Sequence, residues 1–495
     1  MTDPNNVNPS SFQPTTNGKQ IGLLLGPAVS LLMVFLGAPE GLSVSAWYTA
    51  ACMVLMAVWW ITEAVPVSVT ALLPIILFPL LGIADIKTTT ESYSHPIVYL
   101  FLGGFFVALA IERWSLHKRI SLFILSKSNG DARLLMGAFM LAAAFLSMWI
   151  SNTATTIMLL PMGLAITGMI RETLQDVTPK EKENFQTALV LSIAYAATIG
   201  GVSTLIGTPP NALMAAFVAE NYGIEIGFLQ WMSVGLPATL LMLPITWLML
   251  TRVILPFDFK ISSQAEVTIA TMREDLGQLS NEERRVAIVF FLMASGWVLR
   301  PFIDDYALFS GLSDSGIAIL AATSLFLLPQ SQAGKRLLDW EDASKLPWGI
   351  LILFGGGLSL AAAIKSTGLG YAIGSVVSDL PITSMLFLVL SVTVLIVFLT
   401  EITSNLATTA TFLPIIGAIA LEMGIDPIVL IVPVALSASC AFMFPVATPP
   451  NAIIYSSGYL TIAQMSRVGF SLNILAILVV TFLSTVLVPL VFIIP

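Results

Sequence analysis

The chain is 495 residues long, 57% hydrophobic and only 10% charged, with a formal net charge of −8 and a mean hydropathy of +0.91. A soluble domain carries roughly a quarter of its residues as charged side chains, so this composition excludes an ordinary soluble protein. Runs such as 21–38, 228–250 and 472–495 are long enough to cross a hydrocarbon core, and the strict alternation of a barrel is absent, which leaves an all-α polytopic membrane protein.

In chain order, residues 1–20 read as a disordered cytosolic tail, because the first 18 are polar, rich in Pro and Asn, and lack the basic start of a signal peptide. A first transmembrane helix follows within 21–45. Further spans are expected near 46–62, 66–83, 97–112, 184–204, 226–251, 286–303, 311–328, 347–364, 428–446 and 468–493. The basic, amphipathic stretch beginning at Glu112 suits a helix lying along the inner interface. Residues 255–285 form the one long charged loop, read as a cytosolic linker with a short surface helix. The apolar stretches 134–170 and 383–421 are interrupted at their centres by Ser-Asn phrases, which reads as two re-entrant helical hairpins. The total is about eleven transmembrane helices plus those hairpins.

The basic residues orient this topology. Of the 21 lysines and arginines, all but Lys87, Arg300 and Lys365 fall on the cytosolic side when the N-terminus is inside and the C-terminus outside. Counting either hairpin as a single crossing would invert every later loop and scatter the charges. The expected location is the inner (plasma) membrane, with lipid as solvent and no nucleic-acid partner.

Two phrases recur. S-N-T-A-T-T-I-M-L-L-P at Ser151–Pro161 returns as S-N-L-A-T-T-A-T-F-L-P at Ser404–Pro414, and I-G-T-P-P-N-A at Ile206–Ala212 returns as V-A-T-P-P-N-A at Val446–Ala452. F-L-G-G at Phe101–Gly104 and F-G-G-G at Phe354–Gly357 keep the spacing of the Ser-Asn phrases and read as close-packing elements. The copies define repeat 1 (46–254) and repeat 2 (286–495). Each has an odd number of crossings, so the second copy runs upside down and both hairpin tips approach the midplane. Unwound helices are expected at 207–211 and 447–451.

The tips carry the chemistry. Ser147, Ser151, Asn152 and Thr153 cluster at the first, and Thr400, Thr403, Ser404 and Asn405 at the second. Each half-helix starting after a Ser-Asn pair presents free N–H groups and about +0.5 charge, which suits a carboxylate or sulfate. The T-P-P-N turns free carbonyls that, with hydroxyl and amide oxygens, suit a hard cation such as Na⁺. No Lys, Arg or His lies at either tip, so bound cations would balance a midplane dianion. Ser and Thr also mediate ordinary helix packing in membranes, but two matched copies argue against that reading. Glu63 and Glu401 are the acidic residues nearest the interior, with structural roles at least as expected as a protonic one. Cys52 and Cys440 read as core filler, and His117 as an interfacial anchor. No catalytic motif is present, and His95 and His117, the only histidines in the chain, are poor material for an enzyme's acid–base machinery.

The motifs W-W-I-T-E-A-V-P-V-S-V-T-A-L-L-P (Trp59–Pro74), L-H-K-R-I (Leu116–Ile120), Y-A-A-T-I-G-G (Tyr195–Gly201) and F-P-V-A-T-P-P-N-A-I (Phe444–Ile453) closely resemble the divalent anion/sodium symporter family. The resemblance covers nearly the whole chain after residue 20. It implies a homodimer with a fixed scaffold and an elevator-like transport domain. By matched motif it implies substrate contacts at Ser151, Asn152, Thr153, Ser404, Asn405 and Thr448. One Na⁺ site maps to Ser147, Ser151, Asn152 and Gly207, the other to Thr400, Thr403, Asn405 and Ala447. Leu406 stands where many bacterial relatives have a second threonine. The function expected is Na⁺-coupled import of C4 dicarboxylates such as succinate, malate or fumarate. Sulfate or tricarboxylate transport, exchange, proton coupling and, more distantly, an anion channel are the alternatives.

Overall fold

The computed structural model describes residues 16–492, apart from 129, 174–175, 262, 305, 307–310, 333 and 379–383. Among the described residues the fold is all-helical; the only β-pairs are the isolated bridges Asp131–Lys260 and Pro329–Arg336. Nine helices there are long and apolar enough to cross a membrane, and five shorter apolar helices accompany them. Most of the expected tail and the start of the expected second hairpin, at 383, lie outside the described residues. The first helix, Thr16–Leu36, begins ahead of its expected start at Ile21.

The helices start and stop for local reasons. Ser43 caps Val44–Thr62 through the Ala46 N–H, and Glu63 ends that helix in the left-handed conformation (φ 46°). The Trp60 indole then donates to the Val67 carbonyl at 3.1 Å, fixing the turn. The expected span 66–83 is two pieces, Val67–Thr70 and Leu73–Leu80, because Pro74 sits at the start of the second and lacks an N–H to continue the first. Pro96–Arg113 and Trp348–Ser366 carry the glycine elements. A Cβ on Gly103 would lie 2.5 Å from the Ala318 backbone, and one on Gly356 would lie 2.3 Å from the Ala71 carbonyl. Both glycines therefore permit backbone-level helix contact.

Hairpin 1 consists of Ala132–Ser147, capped by Asp131, and Asn152–Thr173, joined through Met148–Ser151. Hairpin 2 consists of Met385–Thr400, capped by Ser384, and Asn405–Glu422, joined through Glu401–Ser404. Length and composition would allow both second arms to cross a membrane, and in each hairpin the two arms pack on one another. Ahead of each hairpin runs a short helix, Leu116–Leu125 in one copy and Leu369–Ser378 in the other. Only the first was expected, because the second has no basic residue to mark it as interfacial.

The broken helices differ from expectation in register. The first is Pro179–Gly201 and Pro209–Tyr222, the second Pro427–Ala438 and Pro449–Ser456. The open backbone is thus 202–208 and 439–448, ahead of the prolines. Pro209, Pro210, Pro449 and Pro450 occupy the first turn of the next half-helix, where a missing N–H costs nothing. The repeats interlock crosswise. Pro209–Tyr222 packs on Asn405–Glu422 and Pro427–Ala438, while Pro449–Ser456 packs on Asn152–Thr173 and Pro179–Gly201. Part of the buried core lies between the hairpins and the broken helices, around residues such as Tyr195, Leu213, Ile431 and Phe442, and it continues into the remaining helices at Trp60, Phe101 and Trp297.

Candidate substrate and cation site

At tip 1 the wholly buried Ser147 donates its hydroxyl to Asn152 Oδ1. Ser151 Oγ accepts from the Ala154 N–H at 3.1 Å and so caps the second arm. That bond turns the first free N–H groups of Asn152–Thr173 toward the tip. Thr153 is half-buried beside them. Opposite lies the first open segment. Thr204 donates to the Met148 carbonyl at 2.6 Å and accepts from the Gly207 N–H at 3.0 Å, tying tip to segment. A Cβ on Gly201 would fall 2.5 Å from Asn152 Oδ1 and 3.1 Å from the Gly207 carbonyl. The structure therefore brings Ser147, Asn152, Gly201 and Gly207 into one oxygen-lined spot.

Tip 2 repeats the core of this arrangement. Thr400 sits where Ser147 does, with its hydroxyl 2.8 Å from Asn405 Oδ1 and 2.9 Å from the Ala438 carbonyl. The rest diverges. Thr403 hydrogen-bonds the Leu399 carbonyl and the Thr408 hydroxyl, within its own hairpin. Thr448 caps the half-helix after the break by accepting from the Asn451 N–H at 3.3 Å, and the Ala447 N–H donates to the Phe444 carbonyl at 3.2 Å. Those contacts place Ala447 and Thr448 in the second open segment. The tie from that segment to tip 2 is made by a different residue, Glu401. Ser404 and Asn405 are half-buried at the mouth, with Leu406 beside them.

Sequence reasoning passed over several residues that shape these spots. Asn211 donates to the carbonyls of Gly201, Val202 and Thr204 at 3.4, 3.1 and 2.8 Å. Asn451 does the same for Ala441 and Phe444 at 3.2 and 3.1 Å. These are the asparagines of the two T-P-P-N phrases, and each braces open backbone that would otherwise lack partners in an apolar interior. The signal was present, since both phrases end their polar part on Asn. Tyr195 and Gly201 likewise open and close the Y-A-A-T-I-G-G motif, but nothing in a linear string shows a glycine facing an asparagine. His117 is buried and bonds the Ile111 carbonyl at 3.0 Å, with its pKa pushed down by burial. It anchors the helix Leu116–Leu125.

Oxygen-only donor sets, two half-helix N-termini and the absence of basic side chains at both tips suit an anion held together with hard cations. Helical hairpins facing broken helices in two copies define a membrane transporter. Residues 18–494 match the family described as the sodium:sulfate symporter transmembrane region, and the chain belongs to that family. It is a transporter and not an enzyme. The sodium-dependent dicarboxylate transporter SdcS of Staphylococcus saprophyticus is 40% identical over 477 residues, spanning 95% of this chain and 92% of that protein. SdcS of Staphylococcus aureus (strain MRSA252) is 40% identical over 484 residues, with 97% and 93% covered. Among solved structures, the YdaH transporter of Alcanivorax borkumensis aligns with a TM-score of 0.56 over 95% of this chain and 98% of its own, at 13% identity. That likeness concerns the fold alone.

Proposed function

We propose that this protein imports C4 dicarboxylates into the cell, driven by Na⁺. The observation that carries the reading is the pair of matched hydroxyl–amide contacts, Ser147 with Asn152 and Thr400 with Asn405, one at each hairpin tip. Each orients an asparagine carboxamide beside a half-helix N-terminus. Two such ends, with no basic side chain, fit a ligand with a carboxylate at each end. Na⁺ binds first, on Ser147, Ser151, Asn152 and Gly207 at one tip and Thr400, Thr403, Asn405 and Ala447 at the other. The substrate then contacts Ser151, Asn152, Thr153, Ser404, Asn405 and Thr448. Leu406 gives its carbon spacer an apolar neighbour, which sulfate has no use for. The names of the SdcS relatives support both the ion and the substrate class.

Coupling follows from desolvation. A dianion taken out of water costs several kcal/mol per charge, roughly, unless cations accompany it. Each net positive charge carried inward adds about 2.3 kcal/mol per 100 mV of membrane potential. In the proposed mechanism the hairpins and broken helices move as one body against the remaining helices, in a homodimer with a cytosolic N-terminus and an extracytoplasmic C-terminus. The test is uptake of labelled succinate into proteoliposomes with an inward Na⁺ gradient against a K⁺ control. Accumulation above equilibrium with Na⁺ alone is expected. Equal uptake in K⁺ would overturn sodium coupling, and uptake without accumulation would favour a channel.

A further inference from the structure

Glu401 is 1% exposed and lies within the tip of hairpin 2, between Thr400 and Ser404. Its carboxylate collects donors almost entirely from backbone. Oε1 accepts from the N–H groups of Phe442 at 2.7 Å and Met443 at 3.0 Å, and from Asn473 Nδ2 at 2.8 Å. Oε2 accepts from Met443 at 3.0 Å and Phe444 at 3.2 Å. Three successive N–H groups of the second open segment thus end on one side chain. The same stretch is held from its other sides. Tyr195 donates to the Phe442 carbonyl at 2.9 Å, and a Cβ on Gly469 would lie 2.2 Å from that oxygen.

The first tip has no such group. At the matching place stands Met148, whose backbone carbonyl accepts from Thr204. One tip is tied to its open segment by a neutral hydroxyl, the other by an acidic side chain that needs both oxygens as acceptors.

We infer that Glu401 is the positioning residue of the second cation site: by latching Phe442–Phe444 it sets where the Ala447 carbonyl and Thr448 stand relative to Asn405. The inference rests on the sodium-coupled reading above. A carboxylate suits this task because two oxygens offer about four acceptor sites, enough for every donor present. Glutamine in its place keeps the shape but turns an NH₂ group toward the Met443 and Phe444 N–H groups, donor against donor. The Phe444 amide then loses its acceptor in a buried site, Met443 keeps only its bond to the remaining oxygen, and the segment must shift to satisfy them.

Two readouts on purified Glu401→Gln test this. The first is hydrogen exchange of the amides of 442–444 in sodium-free buffer, which needs no transport. Exchange at least 10-fold faster than wild type is expected, and unchanged exchange overturns the latch. The second is sodium activation of succinate uptake. The half-saturating Na⁺ concentration rises at least 10-fold while the maximal rate falls less than 3-fold, and Glu401→Asp recovers part of the shift. A lowered maximal rate with unaltered sodium dependence overturns the positioning role. Asn473→Ala, which removes one donor and leaves the carboxylate, should give a smaller shift in the same direction if Glu401→Gln does not fold; no shift there overturns the inference. Wild-type uptake indifferent to sodium would sink the functional reading itself, and the exchange measurement still judges the latch.

Discussion

Replacing Gly201 by alanine probes the proposed first cation site where it is most crowded. The added Cβ would stand 2.5 Å from Asn152 Oδ1, 3.1 Å from its Nδ2 and 3.1 Å from the Gly207 carbonyl. Ordinary contact begins at 3.4 Å, so the carboxamide must retreat by about 1 Å in a close-packed surrounding. The Ser147 hydroxyl is wholly buried and has Asn152 as its partner. Losing that partner costs about 1–3 kcal/mol for the unsatisfied group. At about 1.4 kcal/mol per decade, half-saturating sodium should rise roughly 5- to 140-fold. The assay is sodium activation of succinate uptake in proteoliposomes, with thermal unfolding of the same preparation. Gly168→Ala is the control, since nothing lies within 4 Å of that added carbon, and it should leave activation unchanged. Activation of Gly201→Ala at wild-type sodium concentrations would refute the assignment of Asn152 and Gly207 to one site.

Asn152→Ala and Asn405→Ala should each reduce uptake by about 100-fold or more, as expected where about 1 Å of misplacement already matters; normal uptake by either folded variant would remove that residue from the site. Leu406→Thr trades apolar contact for a hydroxyl and should weaken succinate roughly 5- to 30-fold, at about 0.8 kcal/mol per buried methylene. Competition against labelled succinate measures it, and unchanged affinity would show that Leu406 does not touch the carbon spacer.

Much of this architecture is legible in the string because membrane physics leaves few options. Apolar runs of fixed length, a Ser-Asn interruption in each of two long ones, and a lopsided distribution of Lys and Arg are properties of composition and order. What the string hides is lateral. The helix Leu369–Ser378 matches Leu116–Leu125 in place, yet it lacks His, Lys and Arg and so reads only as a weak apolar run. The T-P-P-N phrases mark where each helix breaks, but proline is tolerated in a first turn, so the open backbone falls before them. The inward face of Gly201 and the three-amide grip of Glu401 depend on which segments meet across the repeats. No periodicity carries that information.

The two tips match in their hydroxyl–amide pair and differ in what fastens them, and this bears on whether the two proposed sodium sites act independently. Thr204 ties the first tip to its open segment and Glu401 ties the second, and these two ties share no hydrogen-bond partner among the described residues. A side-chain bond does link the two broken helices: Tyr195, on the helix that ends at Gly201, donates to the carbonyl of Phe442, whose N–H Glu401 holds. Separate sites without common partners usually combine to within about 0.3–0.5 kcal/mol. Gly201→Ala and Glu401→Gln should therefore multiply in their effects on sodium binding without substrate, to within about 2-fold. Sodium-induced protection from hydrogen exchange, followed separately at 201–208 and 440–448, measures this in the single and double variants. A larger deviation would refute independence and assign the coupling to Tyr195, in which case Tyr195→Phe should restore multiplicative behaviour. With substrate present the outcome should reverse: in the proposed mechanism a dianion spans both tips and binds well only when both cations are in place, so the same two substitutions should then cease to act separately.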